Sequence, residues 1–271
     1  MKRILALLSL LPGIPVLLWA GGAAESELLH SFRYDGVEAV EILDGAIYSV
    51  QVTGGAGSAL EAQVYAPRGT SVGVEHRRTG STVQLRTYRR GRLFGSPGGR
   101  HEIVLRVPRD CALSIRTATG SVAVSDVNGG KSLRTDTGAI ELRDSQGNVV
   151  AESNTGAHSY EGIRGNLDAR TDTGSVTIVG LTGALHVSTD TGRIEAGDVR
   201  LTGDCSLESD TGSIQVELDQ RLEEFRFDVR SDTGSIAVGA TSARGRLLTG
   251  EGALSFTARS DTGSITISGP R

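Results

Sequence analysis

Along most of this chain, apolar residues fall in fixed columns when each stretch is counted from a recurring glycine. Two positions after Gly120, Gly138, Gly156, Gly174, Gly192, Gly212, Gly234 and Gly263 stand Val122, Ile140, His158, Val176, Ile194, Ile214, Ile236 and Ile265. Four after them stand Val124, Leu142, Tyr160, Ile178, Ala196, Val216, Val238 and Ile267. Seven before are Leu113, Lys131, Val149, Leu167, Leu185, Cys205, Phe227 and Phe256, and five before are Ile115, Leu133, Ala151, Ala169, Val187, Leu207, Val229 and Ala258. Arg, Glu, Ser, Thr and Asp fill the gaps. Alternation at period two in two short stretches predicts two half-buried strands per repeat. The first five glycines are 18 residues apart, and a second series, Gly129, Gly147, Gly165 and Gly183, keeps that step in the opposite half of each repeat. A fixed short period signals a solenoid, in which each column lies on itself about 4.8 Å per step. The predicted fold is all-β: a β-solenoid, or β-helix, of about 18-residue coils with two short strands each.

Later steps lengthen to 20, 22 and 29 residues without breaking either strand frame. The extra residues therefore fall between the strands, on the edge opposite the glycine turn, as in VELDQRLEEFRFDVR. Residues 28–107 show strands without the period: VEAVEILDGAIYSVQV, ALEAQVYAP, TSVGVEHR, STVQLRTY and HEIVLRVP. They read as a cap, because an open end of a sheet exposes unpaired backbone. The expected organisation is a signal peptide at 1–24, an N-terminal β region at 25–107 and solenoid repeats at 108–271. Cys111 and Cys205 belong to repeats five steps apart, roughly 24 Å, so two free thiols are expected rather than a disulfide.

The chain begins MKRILALLSLLPGIPVLLWAGGAAES, with a charged start, an apolar run from Ile4 to Trp19 and then small residues. That is the grammar of a secretory signal, cleaved after Ala20 or Ala24. Pro12 and Pro15 interrupt a run shorter than the roughly 20 residues a spanning helix needs, and no spanning segment is expected after cleavage. The formal net charge is −4, and cleavage removes Lys2 and Arg3, so a general binder of nucleic acid is excluded. Aromatics are only 4% and glycines number 37, which suits thin stacked layers better than one thick globule.

The turn glycines close Asp-Thr-Gly triplets, at Asp136–Gly138, Asp172–Gly174, Asp190–Gly192, Asp210–Gly212, Asp232–Gly234 and Asp261–Gly263. The same triplet marks aspartic proteases, where two copies converge so that two carboxylates share a proton. Here it recurs once per coil, after a Thr or Ser on a stretch read as outward, and variants such as Thr117-Ala118-Thr119-Gly120 and Ser153-Asn154-Thr155-Gly156 discard the carboxylate. Turn chemistry tolerates that, with Asp or Asn bonding a nearby N–H and Gly supplying a positive φ, whereas catalysis does not. A calcium ladder on the Asp row lacks the six to eight oxygens that ion takes, and no metal or other cofactor is expected. The column Arg116, Arg134, Glu152, Arg170, Ser188, Glu208, Arg230 and Arg259 reads as local pairing with that Asp row. His158 and Tyr160 fall in core columns and read as a satisfied buried pair. No Ser/His/Asp grouping, phosphate loop or nucleophile elbow appears. The one candidate binding loop is RTYRRGRLFGSPGGR, with Arg86, Arg89, Arg90, Arg92 and Arg100 around Tyr88 and Phe94, suited to an acidic glycan, a lipid head group or a carboxylate-rich partner.

Strands of the form LDGAIYSVQV, then LRVPRDCALSIRTATGSVAVSDVNG, then repeated T-D-T-G-S-V resemble the bacterial putative-adhesin family of β-strand repeats. That family is a domain of unknown function, also called the toast-rack domain, and the resemblance covers about residues 30–270. It implies a non-enzymatic protein of the cell envelope, proposed as an adhesin or as a scaffold in envelope-stress systems. The expected function is therefore an exported binding or scaffold protein, periplasmic or on the cell surface, whose partner is an envelope protein or a glycan. Two alternatives stand beside it: a polysaccharide-active β-helix enzyme, and a structural protein that self-assembles end to end, because the chain finishes at ITISGPR with no obvious cap.

Overall fold

The computed structural model describes residues 26–89 and 99–270, so the segment expected to be a signal peptide and part of the arginine-rich loop lie outside it. The chain is all-β, with one 3-10 turn at Leu222–Glu224 among the described residues. Its first part holds β1 (Ser26–Asp35), β2 (Ala39–Asp44), β3 (Ser49–Gly55), β4 (Ala59–Pro67), β5 (Val72–Thr79), β6 (Thr82–Arg89) and β7 (Glu102–Pro108). The repeats follow as short pairs: β8 (Ala112–Thr117) with β9 (Val122–Ser125), β10 (Lys131–Thr135) with β11 (Ile140–Arg143), and β12 (Val149–Thr155) with β13 (His158–Arg164). After β14 (Leu167–Thr173), two long strands run around the edge opposite the triplet turns, β15 (Val176–Thr191) and β16 (Ile194–Thr211). The chain finishes with β17 (Ile214–Leu218), β18 (Phe225–Val238), β19 (Thr241–Thr249), β20 (Leu254–Thr262) and β21 (Ile265–Ser268).

Successive coils pair in parallel at the 18-residue offset. Lys131 lies between Leu113 and Val149, and Ile140 between Val122 and His158. The two rows of strands bury the four apolar columns between them, with Val122, Ile140, Leu167, Val176 and Ile194 fully enclosed. A coil alone would leave its apolar columns open to water above and below, and burial between neighbours on both sides makes the stack hold.

Both ends depart from chain order. β20 pairs with β16 on one side and with β18 on the other, and β21 sits between β17 and β18. The chain's last coil is thus clamped inside the stack, and the coil before it lies outside. β19 then pairs antiparallel along β18 as the terminal layer. The segment ITISGPR is not the end of the stack, which corrects the expectation of an uncapped last repeat.

The N-terminal end is built the same way. β2 and β3 stack on β8 and β9, while β6 and β7 stack outside them, in parallel register. Stacking stops where the pairing turns antiparallel, with β5 on β6 and with β4 and then β1 on β7. VEAVEILDGAIYSVQV divides into β2 and β3 around Ala46, whose φ is 43°.

Candidate functional site: the triplet edge

Each triplet is preceded by a Thr or Ser that points inward, not outward. Thr135, Thr171, Thr189, Ser209, Ser231 and Ser260 are all buried. Their hydroxyls donate to the carbonyl of the turn glycine in the adjoining coil: Thr135 to Gly120 at 3.0 Å, Thr171 to Gly156 at 3.2 Å, Thr189 to Gly174 at 3.1 Å and Ser209 to Gly192 at 3.0 Å. At the swapped end Ser260 donates to Gly212 at 3.0 Å and Ser231 to Gly263 at 2.8 Å, so this ladder follows the stack and not the chain. The ladder breaks at Ser153, whose hydroxyl reaches the carbonyl of its own turn glycine, Gly156, at 3.4 Å.

The glycine is required by close approach. A Cβ at Gly192 would stand 2.0 Å from the carbonyl oxygen of Gly174, and one at Gly138 would stand 2.1 Å from that of Gly120. Neither glycine has a positive φ, which corrects the left-handed turn expected there. Asp172, Asp190, Asp210 and Asp232 are exposed, and their carboxylates bond no described residue. Asp261 is the exception, held by Arg259 at 3.1 Å. Elsewhere the arginine column pairs within itself or along its own strand, Arg134 with Glu152 at 2.5 Å and Arg230 with Asp228 at 3.3 Å. The expected pairing with the Asp row is thus realised once among the described residues. Each triplet thus offers one carboxylate, and those of Asp172, Asp190, Asp210 and Asp232 stand in solvent. Among the described residues no group of three His, Cys, Asp or Glu side chains is placed to hold a metal ion.

Residues 40–268 match the description Toastrack DUF4097. The chain belongs to the Toastrack DUF4097 family. No curated protein matches it. Among solved structures, a chain described as a "putative adhesin" from Parabacteroides distasonis ATCC 8503 is 10% identical, with a TM-score of 0.51, 90% of this chain covered and 97% of that one. Another "putative adhesin", from Bacteroides fragilis NCTC 9343, is 17% identical with a TM-score of 0.45, covering 91% of this chain and 100% of that one. Among the described residues of this Toastrack chain, no helix is long and apolar enough to cross a membrane.

The arginine-rich loop is only partly in view. Arg90, Arg92 and Phe94 lie outside the described residues, and Arg89 is the last residue of β6. Arg86 is exposed on β6 opposite Glu75. Tyr88 faces Gly73 across the same pair, and a Cβ on that glycine would meet its ring at 2.6 Å, so the ring covers the gap glycine leaves. The guanidinium of Arg100 pairs with Glu102 at 3.1 Å, and the hydroxyl of Ser26 donates to its carbonyl at 2.8 Å.

The Toastrack core holds two polar anomalies. His158 shares hydrogen bonds with Ser153 through Nε2 at 2.8 Å and with Tyr160 through Nδ1 at 3.0 Å, and the Ser153 hydroxyl reaches Thr171 at 3.0 Å. Burial pushes the imidazole down to about 4 and holds the Tyr160 phenol well above its usual range. The other is Lys131, which the sequence reading left in its apolar column. It is buried, donates from Nζ to the carbonyls of Gly129 at 2.7 Å and Gln146 at 2.5 Å, and burial pushes it down to about 8. Cys111 and Cys205 are free and buried, and burial raises both thiols, that of Cys111 to about 11.

One further column went unread. On the edge opposite the triplets, Asp126, Asp144, Gly162, Gly180 and Asp198 all take positive φ, between 46° and 71°. Asp and Gly are residues that tolerate that backbone. Asp144, Gly162, Gly180 and Asp198 line a polar groove of about 340 Å³ with Arg164 and Arg200. The signal was present six positions after each of the first five turn glycines.

Proposed function

We propose that this Toastrack chain is an exported, non-catalytic β-solenoid of the bacterial cell envelope, which presents its surface for binding or scaffolding as an adhesin-like module. Residues 1–24 are its signal peptide, 25–107 its N-terminal β region and 108–271 its repeats. The observation that carries the reading is the triplet edge, where Asp172, Asp190, Asp210 and Asp232 stand solvated, one to a coil, while the Thr or Ser and the Gly beside each do structural work. Catalysis needs groups that converge on a reacting atom, and a one-per-coil column does not supply them. The "putative adhesin" description of the Parabacteroides distasonis chain agrees with a binding role. Arg86, Tyr88, Arg89, Arg90, Arg92, Phe94 and Arg100 form the binding loop of this reading, with an acidic glycan or an envelope protein as partner. Intact mass of the chain recovered from its own bacterium tests export. The expected mass lacks residues 1–20 or 1–24, and an unprocessed chain in the cytosol would overturn the proposal.

A further inference from the structure

At the N-terminal end, three charged side chains stand in one row across three strands. Arg33 on β1 is in register with Glu61 on β4, and Glu61 is in register with Arg106 on β7. Arg33 takes the carboxylate of Glu61 at 2.9 Å and that of Asp35 at 3.2 Å. Arg106 forms no ion pair or side-chain hydrogen bond with any described residue, although an acid lies directly opposite. Its side chain lies across Gly55, where a Cβ would stand 3.0 Å from its Nε.

The turn beside it, Gly55-Ala56-Gly57-Ser58, leads from β3 to β4. The backbone N–H groups of Ala56, Gly57 and Ser58 donate to no acceptor among the described residues. Gly57 and Ser58, which carry two of these donors, border a groove of about 420 Å³ together with Gly55, Arg33 and Arg106. Glu61 is its one acid, and Arg33 already holds it. Successive free N–H groups in a turn make a concavity for an anion, and a planar guanidinium matches a carboxylate or phosphate in bidentate fashion.

We propose that the Gly55–Ser58 turn and Arg106 form a binding site for an oxyanion, the carboxylate or phosphate group of a ligand. The site is separate from the arginine-rich loop, and it does not depend on where the protein resides.

The test is an amide-resolved NMR titration of the full chain with inorganic phosphate and, separately, with galacturonate, at fixed ionic strength. Saturable shifts at Gly57 and Ser58 are expected. Saturation by phosphate alone or by galacturonate alone supports the site and identifies the source of the oxyanion, and saturation by neither overturns it. Arg106→Met is expected to weaken binding roughly tenfold or more, the loss of a charge-assisted contact. Glu61→Gln is expected to tighten it, because the competing carboxylate is gone, and this variant keeps the site testable if Arg106→Met fails to fold. Unchanged affinity in a folded Arg106→Met, or weaker binding in Glu61→Gln, would overturn the site.

Discussion

His158 makes the stack acid-sensitive at one identifiable coil. The imidazole is buried and uncharged, and burial lowers it from 6.5 to about 4 in the folded chain. Between those two values the unfolded chain binds the proton and the folded chain does not. Stability from this group is therefore complete above pH 6.5 and is lost as pH falls through about 4. At about 1.4 kcal/mol for each pH unit, the whole effect is about 3 kcal/mol. The double variant His158→Val, Tyr160→Ile replaces the pair with residues like its column neighbours Ile140, Val176, Leu142 and Ile178. Ser153 keeps its contact with Thr171 and a weaker one with the Gly156 carbonyl. Urea unfolding followed by circular dichroism, above pH 6.5 and near pH 4, separates this group from the surface carboxylates, which both proteins share. The variant is expected to gain about 3 kcal/mol on wild type between the two conditions. An unchanged difference would refute the reasoning.

The triplet edge and the buried lysine give two further expectations. Gly192→Ala should destabilise by about 3 kcal/mol or more, since its Cβ meets backbone at 2.0 Å, whereas Asp190→Asn, on an exposed side chain that bonds no described residue, should stay within about 0.5 kcal/mol; thermal unfolding of the two variants checks both. Lys131 titrates at about 8 when folded against 10.5 when unfolded, so its contribution is complete above 10.5 and falls away as pH drops from there to about 8. Lys131→Met should remove that dependence, and an equal shift of both proteins' denaturant midpoints between the two ends of that window would refute it.

The repeat was legible because stacking imposes one requirement on every coil. Val149 against Leu167 and Leu185 against Cys205 are the pairs that the columns seven before each glycine dictate. The order of layers at the ends was not legible. Phe227 and Phe256 occupy the same column position and pair with each other, and either fits above Cys205, so phase alone cannot rank them. The inward Thr and Ser were misjudged by polarity. Three positions before the glycine has the same parity as five before, and alternation alone would have placed them inside. The role of the glycine was ambiguous in principle, because positive φ and close approach both exclude a side chain. The groove beside Arg106 depends on pairings between strands far apart in sequence, β1 with β4 and β4 with β7, outside the periodic region.

Protease accessibility of the chain on intact cells, against a lysed control, tests the envelope reading most directly. Digestion on intact cells would place the chain on the surface, and protection that ends when only the outer envelope is opened would place it in the periplasm. Both agree with the account. Protection that persists until the cytosol is released, together with a cytosolic marker, would contradict it.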